Sequence, residues 1–192
     1  LLGQLMEGYE TAIGVCGTHG KTSTTSMLSQ VLMECGKDPT IHIGGNLDFI
    51  GGSTRIGKSH TFLAEACEFN ASFLHLRPTV AVVTNIEEDH LDFYKDIDDI
   101  QQTFGKFLAL LPEKDGLAVG NGDDPRVVEE LEKLHCRHYT FGFGEGCDYR
   151  PANLRYSELG CGEYDLSFRG EDLGHVKLKV AGFFQVANSL AA

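Results

Sequence analysis

Residues 11–22 read Thr11-Ala12-Ile13-Gly14-Val15-Cys16-Gly17-Thr18-His19-Gly20-Lys21-Thr22: an apolar run, a glycine-bearing turn, then a lysine and a hydroxyl. A helical pattern follows from Ser23 to Cys35, with Met27, Leu28, Val31, Leu32 and Cys35 on one predicted face and Gly36 ending it. Strand, glycine turn, lysine plus threonine, helix is the order that holds a nucleoside triphosphate. Backbone N–H groups of the turn and the helix N-terminus face the phosphates. The lysine ammonium reaches the terminal phosphates, and the threonine hydroxyl ligates Mg²⁺. The stretch departs from the common phosphate-loop spacing, which would put glycine where Val15 stands, so its weight comes from both flanks.

Outward from this stretch, residues 1–8 read as the tail of a helix. Thr40 to Ile43 is a short extended segment, Gly44-Gly45-Asn46 a turn, and the glycine-rich polar stretch Gly51 to Ser59 a loop. His60 to Ala66 and Thr79 to Ile86 are strands, and Asp98 to Leu111 is a helix. Gly116 to Val119 is a further buried strand. Asp124 with Pro125 opens a helix whose apolar face is Val127, Val128, Leu131 and Leu134. His138 to Phe141 is another strand. Strands and helices alternate as far as residue 143, which predicts a mostly parallel sheet with helices on both faces, like that of P-loop NTPases. Beyond it, Tyr149 to Tyr156, Tyr164 to Arg169 and His175 to Val180 alternate between glycine-rich turns. They predict a small antiparallel subsheet over 144–182, and a helix pattern returns only at Gln185.

Ligands of open parallel sheets sit beyond the carboxyl ends of the strands. Three predicted strands end in competent chemistry: the Gly17–Thr22 turn, Glu65, and the run Thr84-Asn85-Ile86-Glu87-Glu88-Asp89-His90. If those strands are neighbours, Lys21, Thr22, Glu65 and His90 share one edge. Thr22 and Glu65 then supply hard oxygen ligands to Mg²⁺, and the His90 imidazole serves a second metal ion. Asp123 and Asp124 are read as helix-capping acids.

With 192 residues, 42% of them hydrophobic, the chain can bury one full core, so 1–192 is read as one domain with 1–143 as its parallel core. A formal charge of −12 argues against a nucleic-acid surface. Seven carboxylates fall within Glu87 to Asp99, bordering the expected metal site. The six cysteines form no C-x-x-C pair and read as reduced thiols of a cytoplasmic protein, and no stretch is long and apolar enough to span a membrane. The chain opens on Leu1 without an initiator methionine and stops in a helical pattern at Ala192, which is read as a piece of a longer protein.

Gly17-Thr18-His19-Gly20-Lys21-Thr22, Glu65-Ala66-Cys67-Glu68, Ser72 to Pro78 and Thr84 to Asp92 together resemble the Mur ligases, the ATP-dependent amide-forming enzymes of peptidoglycan synthesis. The resemblance covers the chain but only the family's central ATP-binding domain. It implies an N-terminal domain for the UDP-sugar and a C-terminal domain, neither of them in this sequence. Histidine at position 19 points to the branch that joins L-alanine to UDP-N-acetylmuramate. The resemblance implies that Gly17, Thr18, His19, Gly20, Lys21, Thr22 and Ser23 hold ATP, with Asn188 near the adenine. Thr22 and Glu65 belong to the first Mg²⁺ site and His90 to the second, so Lys21, Glu65 and His90 are the implied catalytic set. Asn85 faces the sugar carboxylate. Cys67, Phe184 and Gln185 depart from the family's usual residues, and Phe104 stands where several members carry a modified lysine, which the alanine-adding branch lacks. The isolated piece is expected to bind ATP and Mg²⁺ weakly without ligating. Rival readings are a murein tripeptide ligase, a folylpolyglutamate synthetase-like ligase and a non-catalytic nucleotide-binding module. A GTPase switch is disfavoured, because Asn121-Gly122-Asp123-Asp124 lacks the lysine that reads guanine.

Overall fold

The structure is a computed structural model describing residues 1–192. Strand β1 (Thr11–Cys16) lies inside a sheet of ten strands. Helix α1 (Leu2–Met6) precedes it, and α2 (Lys21–Glu34) leads on to β2 (Thr40–Leu47), β3 (Gly52–Arg55), β4 (Thr61–Glu65) and β5 (Val80–Val83). Then come α3 (Ile97–Leu108), β6 (Leu117–Asn121), α4 (Pro125–Glu132), β7 (Arg137–Phe141), β8 (Tyr149–Tyr156), β9 (Cys161–Phe168), β10 (Glu171–Ala181) and α5 (Phe183–Ala191). The spatial order is β10-β9-β8-β7-β6-β5-β1-β4-β2-β3. From β2 to β8 every neighbouring pair is parallel; β3 and the last two strands run antiparallel.

The central strands are buried on both faces, and their two-residue period sorts their side chains between two cores. Ala12, Cys16, Phe62, Ala64, Ala81 and Val83 face Phe73, Phe104, Phe107 and Leu131. Ile13, Val15, Leu63 and Val82 face Leu28, Val186 and Leu190. This parity aims the strand ends: Glu65, two residues beyond Leu63, emerges on the side of α2.

Several sequence expectations change. Gly44-Gly45-Asn46 is strand, not turn, and Gly52–Arg55 is strand inside the expected loop, because β2 carries on past its parallel partner and takes β3 as an antiparallel edge. Regular pairing of β5 stops at Val83, and Thr84 to Ile86 leave the ladder for the phosphate loop. The buried face of α2 is Thr24, Thr25, Leu28 and Ser29, whereas Val31 is 49% exposed and Cys35 is exposed. Small polar side chains win there because α5 lies close against the helix, with Thr24 Oγ1 3.4 Å from Asn188 Oδ1. The C-terminal strands do not form a separate sheet. Phe141 pairs with Tyr149, so β8 continues the parallel sheet and the antiparallel hairpins extend it. Helix α5 begins at Phe183 and covers this wing, where Tyr164 is buried and its hydroxyl lies 2.8 Å from Ser189 Oγ.

Candidate functional site

The loop between β1 and α2 turns on two glycines with positive φ. A Cβ on Gly17 (φ 138°) would fall 1.8 Å from Thr84 Oγ1, and one on Gly20 (φ 86°) 2.5 Å from Asn188 Oδ1. The end of β5 binds this loop through its backbone. Thr84 Oγ1 donates to the His19 carbonyl at 2.6 Å, and the Asn85 amide closes on His19 at both ends, accepting from its N–H at 2.8 Å and donating to its carbonyl at 3.0 Å. Both polar atoms of Asn85 are thus engaged with the loop. Thr18 Oγ1 accepts from the Glu87 N–H at 2.8 Å. Gly20 caps α2 without a side-chain hydrogen bond, leaving the N-terminus of a 14-residue helix open to an anion.

Around that opening stand the expected side chains. The Thr22 hydroxyl lies 2.9 and 3.0 Å from the two Glu65 oxygens, and the Gly44 N–H donates to Oε2 at 2.9 Å. A hydroxyl that donates to a carboxylate keeps its lone pairs free, so this pair fits a hard cation between protein and phosphate. A Cβ on Gly44 would sit 3.0 Å from the Glu65 carboxylate, close enough to push it off the Thr22 hydroxyl. Lys21 Nζ donates to the Gly17 carbonyl at 2.6 Å, the Thr18 carbonyl at 3.0 Å and Glu68 Oε1 at 2.9 Å. His90, at φ 51°, places Nε2 3.8 Å from Glu68 Oε1 and rests its ring on Phe69 with centroids 5.0 Å apart. Lys21, Thr22, Glu65 and His90 therefore do share one edge of the sheet.

Glu68 is the residue that sequence reasoning passed over. Its side chain is 3% exposed, its Oε2 has no partner, and its backbone carbonyl accepts from the Tyr94 hydroxyl. Burial pushes that phenol up to about 12, which keeps it a donor. The Cys16 thiol is also pushed up, first by burial and then by Glu68, so it stays neutral beside the loop. Glu68, Asp89 and His90 bring ligand atoms within 4.8 Å of one another. The available signal was an acid three residues beyond Glu65, at a strand end where the chain must turn.

Asp124 caps α4 as expected, accepting from the Arg126 N–H at 2.9 Å, and its other oxygen accepts from the Ile86 N–H at 2.7 Å. Asp123 caps no helix. It accepts from the Phe143 and Gly144 N–H groups at 2.6 and 2.8 Å, holding the turn after β7. Beside the loop lies a cavity of about 430 Å³ between His19, Asn121, Phe143, Phe183, Phe184 and Asn188. Phe143 and Phe183 stack at 4.8 Å, and Phe184 is 80% exposed at the mouth. Asn188 is buried in its wall, receiving Thr24 Oγ1 and donating to Gln185 Oε1 at 3.2 Å. Ser23 lies in the first turn of α2, next to Thr22.

Comparison with known proteins gives a consistent result. Residues 15–192 match the Mur ligase middle domain. UDP-N-acetylmuramate--L-alanine ligase of Clostridium botulinum (strain Langeland) is 46% identical over 191 residues, which is 100% of this chain and 41% of that protein. Among solved structures, the UDP-N-acetylmuramate:L-alanyl-gamma-D-glutamyl-meso-diaminopimelate ligase of Neisseria meningitides has a TM-score of 0.85 at 31% identity, over 98% of this chain and 62% of that one. UDP-N-acetylmuramate-alanine ligase MurC of Thermotoga maritima has a TM-score of 0.82 at 27% identity, over 98% and 41%. The chain thus spans about two fifths of the length of the curated relatives it matches.

Proposed function

Because this chain belongs to the Mur ligase family, as its middle domain, we propose that it is the ATP-binding domain of an enzyme joining L-alanine to the carboxylate of UDP-N-acetylmuramate. The observation that carries the chemistry is the gathering of Lys21, the Thr22–Glu65 pair and His90 where β1, β4 and β5 end side by side. The choice of substrates rests on the curated alanine ligases. The relatives' greater length supports flanking domains that carry the UDP-sugar and the amino acid.

The muramic acid carboxylate attacks the γ-phosphorus of ATP and gives an acyl phosphate and ADP. The amine of L-alanine then attacks the activated carbonyl, forming the amide and releasing phosphate. An anion approaching a triphosphate is repelled, the more so in a chain at −12, so the first demand on the site is charge neutralisation. Lys21 meets the β- and γ-phosphates, while the open end of α2 and the Gly17–Thr22 backbone cradle them. Thr22 with Glu65 holds Mg²⁺, and His90 with its neighbouring carboxylates offers a second set of donors. Bound there, Mg²⁺ supplies charge stabilisation on the phosphoryl oxygens. Phe143, Phe183 and Phe184 give the base apolar faces, and Asn188 closes the wall beside it. Asn85 positions the loop through its two hydrogen bonds to His19, and the family resemblance alone assigns it to the sugar carboxylate. A ligase using cytoplasmic ATP works in the cytoplasm, and the charge balance gives no support to a nucleic-acid or membrane partner.

A murein tripeptide ligase is the second reading, favoured by the 0.85 TM-score with the Neisseria enzyme. Phosphate release by the full-length protein separates the two. With UDP-N-acetylmuramate, ATP and Mg²⁺, release is expected to depend on L-alanine. Dependence on a peptide instead, with none on L-alanine, overturns the assignment.

A further inference from the structure

Lys21 spends its hydrogen-bonding capacity within the protein. An ammonium has three donors, and here they go to Gly17 O at 2.6 Å, Thr18 O at 3.0 Å and Glu68 Oε1 at 2.9 Å. A phosphate must therefore take the ammonium from an existing partner. The two carbonyls belong to the loop itself and are neutral; Glu68 is the only charged acceptor. It is also the worst placed to lose the lysine. Its side chain is 3% exposed, its second oxygen has no hydrogen-bond partner, and the Tyr94 hydroxyl holds its backbone. A buried carboxylate stripped of its counter-charge is strongly unfavourable unless another cation replaces it.

The replacement has a place prepared. Glu68, Asp89 and His90 offer two carboxylates and an imidazole with ligand atoms within 4.8 Å of one another. His90 Nε2 stands 3.8 Å from Glu68 Oε1, and its Nδ1 stands 3.8 Å from Asp89 Oδ1. Oxygen and imidazole donors of this kind suit Mg²⁺ or Mn²⁺. We propose that Glu68 is a positioning residue that holds Lys21 until the phosphates take it and then exchanges it for a divalent cation. Release of the lysine and arrival of the ion are then one event. Triphosphate without a divalent ion binds against the cost of a stranded carboxylate. Triphosphate with the ion does not, and by linkage each raises the affinity for the other. The inference rests on the nucleotide-binding reading above and adds to it where the coupling resides.

The test is the affinity of the full-length ligase for a non-hydrolysable β,γ-imido analogue of ATP, measured by calorimetry in EDTA and again with Mn²⁺. Wild type is compared with Glu68→Gln and Asp89→Asn, and melting curves check that each is folded. Association of metal with nucleotide in solution is common to all three proteins, so differences between them report the site. In Glu68→Gln, affinity in EDTA is expected to rise at least tenfold and the gain on adding Mn²⁺ to shrink by more than that factor, because the ion also loses a carboxylate ligand. A residue that merely supported the fold could not raise affinity when altered. Asp89→Asn keeps the Lys21–Glu68 pair, so its affinity in EDTA should match wild type while its gain from Mn²⁺ falls. Unchanged or weaker metal-free binding in Glu68→Gln overturns the exchange and leaves nucleotide binding intact. No binding by wild type under either condition overturns both.

Discussion

Replacing Lys21 by Met keeps an unbranched apolar stem one atom shorter and removes the charge, and it isolates what the Lys21–Glu68 pair contributes to folding. Side-chain exposures of 14% for Lys21 and 3% for Glu68 put the pair among buried ion pairs, where loss of one partner costs about 3–5 kcal/mol. The lysine's own slight exposure favours the lower end. Loss of its hydrogen bonds to the carbonyls of buried Gly17 and Thr18 adds at least about 1 kcal/mol, the low end of the cost of leaving a buried acceptor unpaired. Lys21→Met is therefore expected to lose about 4 kcal/mol of stability, most of it owed to a stranded carboxylate rather than to lost packing. The double variant Lys21→Met/Glu68→Gln should recover about 3 kcal/mol of that loss, because neither partner then carries charge. Urea denaturation of the wild type, both single variants and the double variant gives the coupling energy directly. Additive effects, with no recovery in the double variant, would show that the pair is not coupled as its geometry requires.

Two further outcomes rest on independent contacts. Asp124→Ala removes the cap of α4 and strands the Ile86 N–H, which should cost about 2–3 kcal/mol in chemical denaturation, whereas Asp124→Asn keeps one of the two acceptors and should lose about half as much. Hydrogen bonds to Asp165 at 2.7 Å and Glu163 at 3.0 Å raise the pKa of His175 above its usual 6.5. Its contribution is complete below pH 6.5 and fades as pH rises through the raised value. Nuclear magnetic resonance titration should place the His175 midpoint above 6.5, and a midpoint at or below it would contradict the contact.

Much of the fold was legible because local patterns and tertiary packing agree along the central strands. Ile13, Val15, Val82 and Val83 are buried β-branched residues of central strands, and Asp124-Pro125 is a helix start that any context would honour. The reading failed where tertiary contact outweighed composition. Gly44 to Asn46 have turn-forming residues, yet they lie extended because β2 carries on through a bulge to pair again with β3 at Leu47 and Gly52, and the Gly44 N–H is held by the Glu65 carboxylate. On α2 only part of the apolar stripe is buried: Leu28 and Leu32 pack on the core, whereas Val31 and Cys35 are exposed and Thr24, Thr25 and Ser29 complete the buried face beside α5.

The sequence by itself determined that a lysine and a hydroxyl follow a glycine turn between strand and helix. It also determined that an acid and an imidazole end other strands, for these are facts of order and residue type. Only the tertiary structure decided that β1 runs between β4 and β5, which brings Thr22 within 2.9 Å of Glu65. It alone decided that Glu68 folds back beneath the loop to take the lysine's charge. Strand order and burial depend on contacts between residues far apart in the chain, and the strength of a charge depends on the dielectric around it. Neither is a property of any local stretch of sequence.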